Sequence, residues 1–212
     1  MTERGILFSA PMVRKLLAGE KTQTRRLVNP ASWDPHGLAL NAVLAHGGKL
    51  GVQAYFGQES WGVRCPYGMV GDRLWVRETF YCDHVWAGSK GTVEEWLAMT
   101  YYRADYESEA AWSQAEEWAE RTPAWRPSIH MPRWASRILL DVTEVRVQRL
   151  QEITRQDAIA EGVPLSIPAE LCADPVAEFG NLWDCINEDR CPWKANPWVW
   201  AVSFKLVEVR RG

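Results

Sequence analysis

Apolar and polar positions recur along this chain in short segments that can be assigned one by one. Gly5 to Ser9 (GILFS) is apolar and predicts a first strand. Ala10 and Pro11 break it. Pro11 suits the first turn of a helix, and Met12, Val13, Leu16 and Leu17 follow at helical spacing. Gly19 is placed to end that helix, and TQTRRLV beyond it is β-prone and alternating. In GDRLWVRETF, a turn at Gly71-Asp72 precedes alternation: Leu74, Val76 and Glu78 take one side, and Arg73, Trp75 and Arg77 the other.

The second half reads as clearly. ASRILLDVTEVRVQRLQEI is strand-like, with a bulge or break expected near Thr143-Glu144. Thr154 begins a helix as N-cap with Asp157 three residues on, a capping box with Asp in place of Glu or Gln, and this helix ends at Gly162. FGNLWDCINEDR predicts another helix. NPWVWAVSFKLVEV predicts a closing strand, with Trp198, Trp200, Val202, Phe204 and Leu206 on one parity. Residues 28–70 read as loops with one short strand. Residues 81–128 read as an insertion with two acidic, helix-prone stretches, VEEWLAM and EAAWSQAEEWAER. The order strand, helix, strands, helix, helix, strand predicts an α+β fold. A small mixed barrel with flanking helices and a helical insertion, in one domain over 1–212, fits better than a doubly wound sheet. There is no G-x-G-x-x-G and no Walker A motif.

Composition narrows the function classes. The 212 residues suffice for a sizeable core, and a net charge of −3 gives no global case for nucleic-acid binding, which would need a local basic patch. Thirteen tryptophans exceed Tyr and Phe combined, so a minority could line a ligand groove by stacking. The five cysteines include no C-x-x-C pair. MTERGILFSAP has no long apolar signal region, and no apolar run approaches the ~20 residues of a membrane span. The expectation is a cytoplasmic protein of a bacterial cell with reduced thiols, no membrane, no metal and no cofactor. A zinc site on Cys185, Cys191 and a histidine lacks diagnostic spacing.

The candidate chemistry gathers in LLAGEKTQTRR, where a helix end is followed by Lys21, Thr22, Thr24, Arg25 and Arg26, with only Glu20 to offset them. This element, then GDRLWVRE, then a strand feeding LQEITRQDAIAEG and a C-terminal VWAVSFKLV, resembles in order the ASCH domain, a branch of the PUA-like superfamily. The longer form, with CPYGMVGDRLWVRE and IHMPRWASRI, is similar to ASCH-type proteins of phages and prophages.

The resemblance implies RNA or nucleotide binding. Its small bacterial members include an amidohydrolase acting on N4-acetylcytidine, and their catalytic lysine, threonine and glutamate fall on Lys21, Thr24 and Glu161. Two mechanisms stay open. Thr24 attacks with Lys21 as its base and Glu161 as proton shuttle, or Glu161 activates water while Lys21 and Thr24 hold the oxyanion. Lys21 and Thr24 would face opposite sides of an ideal strand, so their convergence needs a turn after Gly19.

A second set of residues carries a binding reading. WRPSIHMPRWASR has three arginines, two tryptophans and no acid. Arg126, Arg133, Trp134 and Arg137 from it, with Arg73, Trp75 and Arg77, and with Arg25 and Arg26, form a candidate surface for nucleic acid or substrate. The expected partner is a modified nucleoside or a single-stranded nucleic acid. The leading expectation is an amidohydrolase acting on a modified cytidine-type nucleoside. The alternatives are a non-catalytic RNA- or DNA-binding module and a phage accessory or assembly factor.

Overall fold

The computed structural model describes residues 1–28, 65–82, 92–106, 125–163, 174–187 and 189–210, and the backbone of three strands at 42–45, 52–56 and 59–63. The central sheet has five strands. β1 (Glu3–Leu7) pairs in parallel with β6 (Arg73–Arg77), from Glu3↔Arg73 to Leu7↔Arg77. β6 pairs antiparallel with β9 (Ile138–Arg149), β9 with β10 (Trp198–Val209), and β10 with β2 (Gln23–Leu27). The order is therefore β1-β6-β9-β10-β2.

The two edge strands are the two that α1 (Ala10–Leu17) connects. Pro11 sits in its first turn, Val13 and Leu16 are its buried residues, and Gly19 follows at φ +76°, where a side chain would be strained. Carrying the chain from one edge to the other curls the sheet. Arg26 on β2 donates to the Leu7 carbonyl of β1 and stacks on Phe8, with 5.4 Å from guanidinium carbon to ring centre. The α+β class expected from sequence is the class adopted. Barrel closure is not made by a ladder among the described residues; a side chain bridges the two edges instead.

The apolar pattern explains the layers. Ile6, Val13, Leu16, Leu74, Val76, Leu140, Val142, Trp200, Val202 and Phe204 form the core between sheet and α1. The parity expected for β10 holds for Trp200, Val202 and Phe204, while Leu206 is exposed. Val199 and Ala201, on the other parity, are also buried, because this half of β10 is covered on both faces. Its second face meets α3 (Arg155–Ala160) and α4 (Pro175–Asn187) through Val199, Ala158, Phe179 and Trp183. The bulge expected near Thr143-Glu144 is present. Ser203 pairs with Glu144 and Phe204 with Val142, which leaves Thr143 as the extra residue.

Two expectations change. Residues 28–70 hold three strands rather than one: β3 (Ala42–Ala45), β4 (Val52–Phe56) and β5 (Glu59–Val63) form an antiparallel sheet. Each is so short that its pairing with a neighbour, which local sequence does not display, decides its state. Within 81–128, VEEWLAM yields α2 (Val93–Ala98), capped reciprocally by Thr92 and Glu95. It is joined by a two-stranded sheet of β7 (Phe80–Cys82) and β8 (Thr100–Tyr102). EAAWSQAEEWAER lies outside the described residues. Phe80, Cys82, Tyr102, Met131 and Ala135 make a separate apolar cluster there. No described helix is long and apolar enough to cross a membrane.

Candidate active site

Lys21 does not sit on a strand. After Gly19 the chain turns, and the amides of Glu20 and Lys21 both donate to the Lys15 carbonyl at 2.9 and 3.1 Å. Thr22 N donates to Ala160 O at 2.8 Å, which fastens the turn to the end of α3. β2 begins only at Gln23, so strand parity does not separate Lys21 from Thr24.

The partner helix is built locally. Thr154 and Asp157 complete the expected capping box, with Asp157 N to Thr154 Oγ1 at 3.1 Å and Thr154 N to Asp157 Oδ2 at 3.3 Å. Seven residues after Thr154 the helix ends with Glu161 as C-cap and Gly162 at φ +78°. A Cβ on Gly162 would lie 3.1 Å from Lys21 Cβ and 3.2 Å from Lys15 Cβ. A glycine here supplies both the backbone turn and the room for Lys21 to approach.

Lys21 Nζ makes three hydrogen bonds: to Gln23 O at 2.9 Å, Glu161 O at 2.7 Å and Glu161 Oε2 at 2.9 Å. Its ammonium thus meets both the carboxylate and a main-chain carbonyl at the negative end of α3. Arg25 Nη1 donates to Gln23 Oε1 at 2.6 Å and reaches Glu161 Oε1 at 3.3 Å, while its Nη2 pairs with Asp157 Oδ2 at 3.1 Å. Gln23 Nε2 donates to Asp157 Oδ1 at 3.1 Å, and Arg146 Nη2 reaches the same oxygen at 3.0 Å. The Lys21 side chain is 3% exposed and that of Arg25 0%, so these charges are held against one another and not by water.

Burial pushes the Lys21 amine down from the ordinary lysine value, and the Glu161 charge and hydrogen bond only partly oppose it. Burial alone would raise Asp157. The Thr154 amide, Arg146, Gln23 and Arg25 outweigh that and bring it to about 2.

Lys21, Thr24, Arg25, Arg26 and Glu161 all line one cavity of about 520 Å³. Phe8 and Tyr67 form part of its wall. Phe179, Leu182 and Trp183 of α4 form another part, and Arg190 lies just beyond that helix. Lys21 Nζ also lies 5.6 Å from the Phe8 ring centre, and the Arg25 guanidinium 5.8 Å from that of Phe179. The volume lies within the ~300–1,000 Å³ usual for small-molecule sites.

The other candidate residues lie elsewhere. Arg73 pairs with Asp141 at 3.1 Å and Arg133 with Glu3 at 2.8 Å. Arg77 and Arg133 flank Trp75, with guanidinium carbons 5.4 and 6.0 Å from its ring centre, and Arg77 donates to the Ile129 carbonyl. Arg137 has both edges of its guanidinium filled, by Glu78 at 3.0 and 3.1 Å and by Asp105 at 2.7 Å. Arg126 exchanges backbone hydrogen bonds with Phe80, and Trp134 packs against Trp96 at 5.4 Å. None of these seven is among the residues lining the cavity. Among the described residues, no group of three or more His, Cys, Asp or Glu is placed to share a metal ion.

Sequence reading missed Gln23, Asp157 as a site residue, Arg146, the α4 wall and Arg190. One signal was available: an arginine on a buried strand needs a counter-charge, and the Asp of the capping box supplies one.

No family model and no curated protein matches the chain. Among solved structures, the chain is similar to the crystal structure of an ASCH domain from Lactobacillus crispatus JV V101. The identity is 11%, the TM-score is 0.41, and the match covers 98% of this chain and 80% of that one.

Proposed function

We propose that the cavity is the active site of a hydrolase that removes an acyl group from the exocyclic nitrogen of a modified cytidine-type nucleoside. The observation that carries this is the buried Lys21–Glu161 pair, 2.9 Å apart, lining the same cavity as Thr24. The sequence resemblance to ASCH amidohydrolases supports the same three residues.

The pair supplies the proton traffic. A buried ammonium–carboxylate pair competes with its neutral form. One proton passing from Lys21 Nζ to Glu161 Oε2 leaves a free amine and a carboxylic acid. The amine takes the Thr24 Oγ proton as that oxygen attacks the acyl carbon, and the carbonyl pair moves onto oxygen. As the intermediate collapses, the C–N bond breaks and Glu161 gives its proton to the leaving nitrogen. Cytidine departs, the acyl group is an ester on Thr24, and Lys21 and Glu161 are again charged. Water then attacks the ester. Glu161 takes the water proton, Lys21 gives one to the Thr24 oxygen, and the acid leaves. Arg25 holds the Glu161 carboxyl in place from its other oxygen.

The test follows cytidine release from N4-acetylcytidine and related acylated nucleosides. Wild type is expected to turn over, and Lys21→Ala, Thr24→Ala and Glu161→Ala each to lose at least ~100-fold. Absence of turnover on every acylated cytidine would sink the proposal, as would variants as active as wild type.

A second reading, an RNA- or DNA-binding module, is favoured by the Arg77–Trp75–Arg133 stack. It expects salt-dependent binding of single strands that Trp75→Ala weakens.

A further inference from the structure

The wall of the cavity carries more positive charge than the chemistry uses. Its ionisable lining residues with a fixed sign are Lys21, Arg25, Arg26, Arg190 and Glu161: four cations and one carboxylate. Lys21 is matched by Glu161, and Arg25 by Glu161 and by Asp157 behind it. Arg26 and Arg190 have no carboxylate within ion-pair distance among the described residues. This is not a shortage of acids, since the chain holds 27 acidic and 24 basic residues. Elsewhere Arg73, Arg133, Arg137 and Arg146 each hold a carboxylate.

Arg26 is anchored but not satisfied. It donates to the Leu7 carbonyl and stacks on Phe8, yet its Nε is buried with no hydrogen-bond partner. A buried donor left unpaired is costly, and an anionic oxygen is the acceptor a guanidinium fork fits best. Arg190 is exposed on the turn that follows α4, where its amide bonds to the Asn187 carbonyl at 2.9 Å. Cations lining a cleft with apolar walls concentrate the field inside it.

We infer that the cavity binds its nucleoside in phosphorylated form, as a nucleoside monophosphate, with Arg26 and Arg190 receiving the phosphate. This rests on the nucleoside reading above and adds what that reading leaves out, the charge of the substrate. A phosphate monoester carries a net negative charge near neutral pH and offers acceptors to two arginines that no carboxylate pairs among the described residues. A cavity of about 520 Å³ suits one nucleotide better than a strand.

The experiment is titration calorimetry on the whole protein with cytidine, cytidine 5′-monophosphate, inorganic phosphate and a cytidine tetranucleotide. The monophosphate is expected to bind at least about tenfold tighter than cytidine at low salt, with the preference shrinking as salt rises. In Arg190→Gln, and in Arg26→Gln, the ratio of the two affinities is expected to fall toward one. Arg190 lies on the surface, so its replacement leaves the core packed and the comparison interpretable.

Equal affinity for cytidine and its monophosphate in wild type overturns the inference. So does a tetranucleotide that binds while the monophosphate shows no advantage over cytidine, because strand binding then explains the arginines. Inorganic phosphate competing with the monophosphate supports the anion site. If inorganic phosphate binds as tightly as the monophosphate, the phosphate site stands and the nucleoside reading falls. Failure to hydrolyse acylated cytidines, with the monophosphate preference intact, sinks the hydrolase proposal alone.

Discussion

Glu161 and Lys21 serve the site and the fold at once, and the two roles can be separated. Removing one partner leaves a buried charge unpaired, so Glu161→Gln is expected to destabilise the protein by ~3–5 kcal/mol in urea unfolding. Replacing both, as Lys21→Met with Glu161→Leu, is expected to recover most of that loss while activity on acylated cytidine stays absent. If the double variant is as unstable as the single one, the pair is not balanced as described. Lys21 is held below the ordinary lysine range by burial. If the pair works through the one proton it shares, kcat/KM falls as pH rises through the value at which that proton leaves, which burial holds below the ordinary lysine value of ~10.4. The limb belongs to the coupled pair and not to either residue alone. A profile still rising beyond that value counts against Lys21 as base.

How much of this was legible depends on distance along the chain. Thr154 and Asp157 could be read as a cap because a cap spans three residues. Gln23 and Arg146 could not be read as site residues, because their shared contact with Asp157 joins segments from three parts of the chain. The parity argument that set Lys21 against Thr24 assumed a strand beginning before Lys21, and the turn tied to Lys15 removes that premise.

At the scale of elements, α3 is short but fastened at both ends. Asp157 ties its start to β2 and β9 through Arg25 and Arg146, and Glu161 ties its end to Lys21. Thr154→Ala is expected to cost ~1 kcal/mol through the lost cap. Gly162→Ala forces a side chain to φ +78° against Lys21, so a loss of at least ~1–2 kcal/mol is expected, with reduced turnover.

Acid should loosen the same helix from its start. Asp157, lowered to about 2, stabilises the fold above the ordinary carboxylate value of ~3.9, and that contribution is lost as pH falls through its folded value. The urea midpoint of wild type is expected to drop between about pH 4 and about pH 2, and that of Asp157→Asn to drop less. The strands β3 to β5 mark the opposite case in legibility. Their sequences are too short and mixed to display a period, so only their pairing identifies them.

At the scale of the molecule, Arg137 joins the apolar cluster of β7 and β8 to the main sheet. It grips Glu78 next to β6 and Asp105 beyond β8, and lies 3.9 Å from the Tyr102 ring centre. Glu78 is 1% exposed, so Arg137→Ala strands a buried carboxylate. A loss of ~3–5 kcal/mol in urea unfolding is expected, against less than about 1 kcal/mol for a surface pair such as Arg133–Glu3.

The Lys21–Glu161 contact closes a loop of 140 residues. Contacts that distant form late in folding, after nearer ones have met the entropy of closure. A six-residue helix is marginal by itself, and β2 is joined to the sheet through β10, so Glu161 meets its lysine only as β10 docks between β9 and β2. A growing or refolding chain therefore has no functional half-state. Recovery of turnover in a refolding experiment should track the last phase of tryptophan burial, and catalytic activity becomes a clock for the completion of the fold.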